Sequence, residues 1–304
     1  MTVARQAVLL FGEILVDRFP EGEVLGGAPF NVARHLAAFG CKPVLITRIG
    51  QDNAGRRILQ ALESAKLPGH GVQLDSTHPT GVVEVKFDSQ GHRFDILPDQ
   101  AYDHIHPRLS RIAALAANPD LLYFGTLAQR AHSHRALRHI LRAVHGRRFF
   151  DVNLRDPWIY PDRVEWLLQH ADIVKANDTE LEAMNEMLNL QSGSTHARAE
   201  ALLNQYGLRG VLITMGAKGA FWLDDSGRFV EMESDPVPHI RDTVGAGDAF
   251  SAVFIMGLLR EWKIPLALQR AHRFAAAICQ IRGAIPEDKE FYRPFLNEWL
   301  EAYE

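Results

Sequence analysis

Short apolar segments alternate with longer segments of helical periodicity along most of this 304-residue chain. Short apolar runs bounded by turn residues are typical of buried strands, whereas apolar positions three and four residues apart indicate amphipathic helices. The alternation predicts a mostly parallel sheet covered by helices on both faces. The predicted strands are Val8–Phe11, Val44–Ile49, Leu121–Phe124, Phe149–Val152, Ile173–Ala176 and Val211–Thr214.

The helical periodicity predicts helices between these strands and an all-helical C-terminal stretch. Clear examples are Phe30–Phe39, Ala54–Ser64, Ala246–Arg260, Pro265–Ile281 and a last helix near Phe295–Glu301. A basic segment, Ala131–Arg148, is also predicted to be helical and contains His132, His134, His139 and His145. Arginine and leucine interleave with these histidines and no cysteine or acid accompanies them, so we expect a solvated helix face rather than a metal site.

One region departs from the alternation of strands and helices. Gly81–Phe87 alternates apolar and polar residues, Ser89-Gln90-Gly91 is a turn signal, and the alternation resumes over His92–Ile96. This pattern predicts a hairpin with one solvated face. Together with the extended, irregular Glu13–Leu25, it predicts a small β-sheet formed roughly by residues 13–28 and 80–100. In an enzyme such a sheet would act as a lid, and a structural or dimerisation sheet is the alternative.

Composition is ordinary for a soluble globular protein, with 47% hydrophobic and 23% charged residues, and predicts one domain over residues 1–304. The net charge of −4 gives no reason to expect nucleic acid or an anionic membrane as partner. The two cysteines, Cys41 and Cys279, lie in apolar patterns and favour free thiols in a reducing, cytoplasmic compartment. We find no signal-peptide pattern and no stretch that approaches a membrane span.

The most distinctive motif is DTVGAGDAF at Asp242–Phe250. A turn without bulky side chains leads into an apolar helix there, and its free backbone N–H groups would hold an anion such as phosphate. Asp248 lies inside this anion site, where a carboxylate repels a bound phosphate. Its presence there indicates a chemical role, such as accepting a proton from a hydroxyl that attacks the phosphate. An acid that merely occupies the first helical turn is the alternative for an isolated motif. The second acid, Asp242, and a matching glycine pair near the N-terminus favour the chemical interpretation.

The matching pair is Gly26-Gly27, before the Phe30–Phe39 helix. Paired glycines allow a close approach of backbone to ligand, and the amide of Asn31 offers a donor and an acceptor to a sugar hydroxyl. A tight turn with an Asn cap is the alternative. Asp17 follows the first strand and would lie near the ligand crevice of a parallel sheet, unless it is a solvated loop acid.

Three later strand ends carry candidate polar groups. Arg155 follows Asp151-Val152-Asn153-Leu154 and would hold an anion or a sugar oxygen, or form a surface ion pair. Asn177 and Glu180 are one helical turn apart, which suits waters around Mg²⁺ and also a helix cap. A glycine-rich turn with one lysine suits nucleotide phosphates or a plain hairpin, and contains Thr214, Gly216 and Gly219.

The two glycine motifs, in this order and with Asp248 in the second, resemble the ribokinase-like (PfkB) carbohydrate kinase family. The GGAPFNVARHLAAFG segment, with the opening FGEILVD, is most similar to the fructokinase branch. The resemblance covers essentially the whole chain and implies a ribokinase-like α/β three-layer sandwich with a small β-sheet lid. It also implies an ATP-dependent sugar kinase that uses Mg²⁺ and transfers the γ-phosphoryl of ATP to a ketohexose, with fructose as the first expectation.

The resemblance assigns a role to each matching residue. Asp248 would be the base, and the anion hole would be formed by the N–H groups of Gly245, Ala246 and Gly247. Sugar would be bound by Asp17, Gly27, Asn31 and Arg155. Mg²⁺ and phosphate would be tuned by Asn177 and Glu180, and the nucleotide site would be lined by Thr214, Gly216 and Gly219. A monovalent cation is often bound at the positions of Asp242 and Val244, but potassium dependence varies within the family, so K⁺ stays open.

Other functions stay open. A 2-keto-3-deoxygluconate kinase would need a cation for the substrate carboxylate, which Arg155 or Arg93 would supply. A nucleoside kinase would need an aromatic slot in the lid, for which Phe19, Phe87 and Phe94 are candidates. A non-catalytic sugar or nucleotide sensor on the same fold would have no need to keep the Asp248 motif. The expected partners are a small-molecule sugar and ATP, and the chain is expected to be a monomer or homodimer.

Overall fold

The computed structural model describes residues 6–88, 91–191, 193–234 and 239–300. Within these ranges the strands are β1 Ala7–Phe11, β2 Leu15–Phe19, β3 Gly22–Gly26, β4 Lys42–Gly50, β5 Val72–Asp75, β6 Gly81–Asp88, β7 Gly91–Ile96, β8 Leu121–Phe124, β9 Arg147–Asp151, β10 Ile173–Asn177, β11 Gly210–Thr214, β12 Ala220–Asp224 and β13 Phe229–Met232. The helices are α1 Ala28–Ala38, α2 Asn53–Ser64, α3 Pro107–Ala117, α4 Ser133–Leu141, α5 Pro161–Leu168, α6 Asp178–Met187, α7 Thr195–Tyr206, α8 Ala246–Leu259, α9 Ile264–Ile278 and α10 Arg293–Leu300.

Nine of the described strands form the main sheet, in the order β13-β12-β11-β10-β9-β8-β1-β4-β5. The seven strands from β11 to β5 in this order pair in parallel, while β12 and β13 extend one edge as antiparallel strands. The carboxyl ends of the parallel strands therefore meet at one edge, where ligands bind in open α/β sheets.

Helices cover both faces of the main sheet, as the sequence predicts. On β1, Val8 and Leu10 belong to one hydrophobic core, which includes residues of α1, α8 and α9. The alternate residues Leu9 and Phe11 belong to a second core, which includes residues of α4, α5 and α7. A strand that is buried on both faces has no polar alternation, which explains its continuous apolar run. The predicted three-layer α/β sandwich is confirmed.

A second, four-stranded sheet has the order β3-β2-β6-β7. The predicted hairpin is formed by β6 and β7, although Ser89 and Gln90 of its turn lie outside the described residues. The segment Glu13–Leu25 is more regular than we expected, because it contains the antiparallel pair β2 and β3. The small β-sheet is thus confirmed, and its role as a lid stays a prediction.

The histidine-rich segment differs from its prediction. Its helix, α4, ends at Leu141, and Arg147 already belongs to β9. The expectation of a solvated face is wrong for His134, which is 5% exposed and packs edge-on against Trp166. His134 shares the side of the helix that Leu137 and Leu141 bury, since residues three and seven positions apart lie on one face. Burial lowers the pKa of His134 to about 4.

Two further features concern the cysteines and the apolar character of the helices. Cys41 and Cys279 are free thiols, the first buried and the second partly buried. Searching the described residues finds no helix with the length and apolar character needed to cross a membrane.

Candidate active site

A cavity of about 430 Å³ lies where β1, β8 and β9 end, between the main sheet and the second sheet. The second sheet contributes Leu15, Val83 and Ile96 to its wall. Of the residues predicted from sequence, the cavity brings together Asp17, Gly27, Asn31, Arg155, Val244, Gly245, Gly247 and Asp248. The described residues outside its lining include Ala246, Asp242, Asn177, Glu180, Thr214, Gly216 and Gly219.

The start of α8 forms one wall of the cavity. Gly245 has a left-handed φ of 78°, and a Cβ there would overlap the Cβ of Ala284, so the turn requires glycine. Asp248 falls in the first helical turn, where backbone N–H groups have no intrahelical acceptor. The N–H of Ala246 already donates to the carbonyl of Thr243 at 3.3 Å. The turn therefore presents a positive helix end beside a carboxylate.

Asn31 holds Asp248 in place. Its Nδ2 donates to Oδ2 of Asp248 at 2.8 Å, and because a carboxylate only accepts, this contact fixes the orientation of the amide. The other amide atom, Oδ1 of Asn31, is buried without a hydrogen-bond partner. The cap of α1 is Gly27, with a φ of 109° and no side-chain cap bond, so Asn31 does not serve as the cap. A free acceptor in the cavity wall is suited to a ligand hydroxyl.

Three carboxyl groups face this cavity, and burial is the largest influence on each. It raises the pKa of Asp248 to about 6, against the opposing hydrogen bond from Asn31. Burial likewise raises the pKa of Asp17 to about 6 and that of Glu13 to about 7, with Arg155 opposing both shifts. A carboxylate with a pKa near 6 is ionised at neutral pH and is a better base than an ordinary aspartate.

A buried polar network lies behind the glycine turn. Lys175 on β10 contacts Oδ1 of Asp151 on β9 at 2.9 Å. Tyr123 and Ser251 donate their hydroxyls to Oδ2 of the same carboxylate at 3.0 and 2.7 Å. Burial opposes the charge of Lys175, but Asp151 and other nearby acids outweigh it and raise the pKa of the lysine. A Cβ on Gly247 would lie 3.2 Å from Nζ, so a cation is held directly beneath the turn.

Sequence reasoning missed this network. Its signal is a single lysine within the buried apolar strand Ile173–Asn177 and a single serine within the apolar helix α8. A lone charged residue in a buried strand needs a partner, since unpaired buried charge is very costly. That argument would have singled out Lys175, although not its partner.

Asn177 and Glu180 form the predicted capping arrangement at the start of α6. Oδ1 of Asn177 accepts from the N–H of Glu180 at 2.7 Å, and Oε2 of Glu180 accepts from the N–H of Asn177 at 2.9 Å. Oε1 of Glu180 also accepts from the N–H of Leu154 at 3.1 Å. Glu180 therefore fixes the loop after β9 relative to α6, and its role toward Mg²⁺ stays a prediction.

The glycine-rich turn after β11 lies beside this cap. Thr214 pairs with Asn177 in the register of β11 and β10, so both residues end their strands at the same edge. Gly216–Lys218 forms a short 3-10 turn, and Gly219 has a φ of 103° before the antiparallel strand β12. The turn is therefore a hairpin, and its position at the strand ends is compatible with the predicted nucleotide role.

Asp242 and Arg155 have distinct surroundings. The carboxylate of Asp242 accepts from the N–H groups of Val244 and Gly283 at 3.0 and 2.9 Å, which anchors the segment before α8. Arg155 is exposed at the cavity rim and donates to the carbonyl of Leu154 at 3.0 Å. Over the described ranges Arg155 forms no ion pair, so the surface ion pair that sequence allowed is not observed.

The three-layer sandwich, the second sheet and a carboxylate at a glycine turn together define a ribokinase-like α/β protein. The sequence model that describes the pfkB family of carbohydrate kinases matches residues 18–290 of this chain. The chain therefore belongs to the pfkB carbohydrate kinase family.

Two curated relatives and one solved structure indicate the range of activities in this family. A fructokinase from Salmonella typhimurium is 29% identical over 83% of this chain and 84% of its own length. A 2-dehydro-3-deoxygluconokinase from Haemophilus influenzae is 22% identical over 86% of this chain and 87% of its own length. The fructokinase structure from Vibrio cholerae O395 with fructose, ADP and calcium has a TM-score of 0.79 at 23% identity, and covers 96% of this chain and 99% of that chain. The relatives that this chain resembles therefore include kinases named for different substrates.

The Lys175–Asp151 pair generates a stability prediction. Lys175→Met leaves the buried carboxylate of Asp151 without its cation, so we expect the free energy of unfolding to fall by about 3–5 kcal/mol. The measurement is urea denaturation followed by circular dichroism. The control is Arg273→Met, which removes an exposed ion pair with Glu298 and should cost less than about 1 kcal/mol. Equal losses in the two variants would contradict a structural role for the buried pair.

Proposed function

We propose that this chain is an ATP-dependent fructokinase, transferring the γ-phosphoryl of ATP to a hydroxyl of a ketohexose. The observation that carries the proposal is the carboxylate of Asp248 in the cavity, ordered by Asn31 at 2.8 Å and placed at the start of α8. A general base must lie beside the site of the transferred phosphoryl group, and a helix start is where that group binds.

The chemical step follows from this placement. Asp248 accepts the proton of the attacking sugar hydroxyl while that oxygen forms its bond to the γ-phosphorus and the bond to the β-phosphate oxygen breaks. The N–H groups of Gly245 and Gly247 would donate to the negatively charged phosphoryl oxygens, and that of Ala246 would be shared between them and the carbonyl of Thr243. Lys175 lies behind the turn, where its ammonium is paired with the carboxylate of Asp151. Phosphoryl transfer depends mainly on such positioning and charge stabilisation.

ATP would lie along the ends of β10 and β11. Thr214, Gly216 and Gly219 would line its site, and Asn177 and Glu180 order the loop between that site and the cavity. When bound, Mg²⁺ neutralises charge on the phosphates. Both oxygens of Glu180 already accept backbone N–H groups, so Glu180 would hold the ion through ordered water rather than directly.

The charge of the cavity favours a neutral polyol over a sugar acid. Its described lining contains the acids Glu13, Asp17 and Asp248 and one cation, Arg155. A substrate carboxylate would meet three acids, whereas sugar hydroxyls can donate to them and to Oδ1 of Asn31. This argument supports fructose over 2-keto-3-deoxygluconate. Arg93 is the other candidate cation for the carboxylate of the keto acid, and its side chain lies outside the described ones.

A nucleoside substrate has less support. Tyr123 is the aromatic residue in the described cavity lining, and its hydroxyl is engaged by Asp151. Phe19 does not line the cavity, and the side chains of Phe87 and Phe94 lie outside the described ones. A sensor without catalysis has no use for a carboxylate held at the helix start, so the ordered Asp248 supports an enzyme.

Several finer properties belong to the same proposal. The second sheet would close over the sugar as a lid, residues 1–304 would act as one domain, and the protein would work in the cytoplasm as a monomer or homodimer. Asp242 and Val244 remain the candidates for a K⁺ site. The backbone N–H donors on both oxygens of Asp242 leave its remaining lone pairs for such an ion.

A substrate panel tests the proposed specificity. Purified protein is assayed with ATP and Mg²⁺, with and without K⁺, on fructose, ribose, glucose, 2-keto-3-deoxygluconate and adenosine. We expect kcat/KM for fructose to exceed that for every other sugar by at least about tenfold. Turnover of the keto acid alone would contradict the cavity-charge argument while retaining the kinase class. Absence of turnover on all five would contradict the proposed activity.

The raised pKa of Asp248 predicts a pH dependence. The base works only when ionised, so kcat/KM, which reports the pKa of the free enzyme, should be full above the pKa of about 6 and should fall as the pH drops through it. Asn31→Ala removes the hydrogen bond that favours the charged form, so its acidic limb should move to higher pH. The measurement is kcat/KM for the sugar against pH for both proteins. An acidic limb that stays in place in Asn31→Ala would contradict the assignment of that limb to Asp248.

A further inference from the structure

A turn at the rim of the cavity is attached to the end of the second sheet by one indole ring. The turn spans Arg155–Trp158 and is closed by the N–H of Trp158, which donates to the carbonyl of Arg155 at 2.7 Å. Nε1 of Trp158 donates to the carbonyl of Ile96, the last residue of β7, at 2.9 Å. Arg155 and Ile96 both line the cavity. Trp158 therefore connects two parts of the cavity wall that are far apart in sequence.

The face of the indole ring lies on a buried guanidinium. Cζ of Arg130 is 4.3 Å from the centroid of the Trp158 ring. Arg130 is 6% exposed, and its Nε and Nη2 donate to the two oxygens of Asp103 at 2.7 and 2.8 Å. A bidentate pair of this kind fixes the geometry of the guanidinium as well as contributing energy. Arg130 is therefore a rigid support on which the ring of Trp158 stacks.

The same support holds both ends of the β6–β7 hairpin. Nη2 of Arg130 donates to the carbonyl of Leu97, one residue beyond β7, at 3.2 Å and to the hydroxyl of Tyr102 at 2.6 Å. The ring of Tyr102 packs against Gly81, the first residue of β6, where a Cβ would lie 2.6 Å from the ring. The position of Trp158 is therefore set by the residues that attach the hairpin to the main body.

Two contacts fix the orientation of the indole ring in different ways. Stacking on Arg130 restricts the plane of the ring, and the Nε1–H bond to Ile96 restricts its direction within that plane. Because a backbone hydrogen bond joins Trp158 to Arg155, the ring also restricts where the backbone of Arg155 lies relative to β7. The side chain of Arg155 is exposed and, among the described residues, hydrogen-bonds only to the carbonyl of Leu154. Trp158 thus ties the backbone of Arg155 to the second sheet.

We propose that Trp158 is a positioning residue for sugar binding, which holds the Arg155 turn against the end of β7 so that Arg155 and the second sheet contact the sugar together. The proposal rests on the proposed function and on the sugar-binding role expected for Arg155. The link is internal to the protein, so it reduces the conformational freedom that Arg155 loses when the sugar binds. Its loss would weaken sugar binding, whereas the predicted nucleotide site at the ends of β10 and β11 lies outside this network.

Steady-state kinetics of Trp158→Phe test the proposal. Phenylalanine keeps an aromatic ring on Arg130 but has no N–H for the carbonyl of Ile96. We expect KM for fructose to rise at least about fivefold, in line with the loss of one hydrogen bond, while KM for ATP stays nearly unchanged. Trp222→Phe is the matched control, because it removes another indole hydrogen bond, to Asp224 at 3.3 Å, and lies outside the cavity lining. It should leave both KM values unchanged.

A double-mutant cycle with Arg155→Ala separates positioning from a general loss of stability. In that background Trp158→Phe should change KM for fructose by less than about twofold, because the group that it positions is absent. The thermal unfolding midpoint of each variant is measured in parallel, and a merely structural role would lower the midpoint without this dependence on Arg155. Equal effects of Trp158→Phe in the two backgrounds would overturn the proposal, as would a wild-type KM for fructose in Trp158→Phe itself.

The outcome for the proposed function is read on the wild type. If the wild type phosphorylates a different sugar of the panel, the same cycle is run with that sugar and the same changes in KM are expected. Wild-type protein that neither phosphorylates nor binds any of these sugars would overturn both proposals. Wild-type turnover of fructose with no change in Trp158→Phe would overturn the role of Trp158 alone.

Discussion

The hydrogen bond between Asn31 and Asp248 joins the two glycine motifs, which are far apart in sequence. It connects the first turn of α1 with the first turn of α8, and both helices begin after a glycine with positive φ. The bond holds one oxygen of a carboxylate that lines the cavity. The contact therefore links the proposed sugar site to the helix start that would hold phosphate.

The glycine turn is supported from behind. Lys175 and Asp151 place a paired charge beneath Gly247, and Gly245 packs against Ala284 with no room for a side chain. A buried ion pair contributes little net stability, but it fixes where a charge sits and is costly to break. The network therefore fixes the position of the start of α8 and the electrostatic potential around it.

Much of the fold could be predicted from sequence, because the spacing of apolar residues along the chain indicates which side chains are buried. The run Val8–Phe11 predicted a doubly buried strand, and both of its faces are covered. The limits of the method appear at His134, whose burial depends on packing against Trp166 of another helix. In the candidate site, too, local sequence predicts some features, while others depend on contacts between distant elements. Glycine motifs and strand ends identified part of the cavity lining, whereas Lys175, Tyr123 and Ser251 meet Asp151 from three elements that only the fold brings together.

The central claim is that Asp248 acts in the chemical step. The most direct test is single-turnover phosphoryl transfer by Asp248→Asn, with ATP and fructose affinities measured on the same protein. Asparagine keeps the acceptor for Asn31 but cannot take a proton, so the account predicts nearly unchanged ATP affinity and a chemical step at least about 100-fold slower. A chemical step at the wild-type rate with both substrates bound would contradict it.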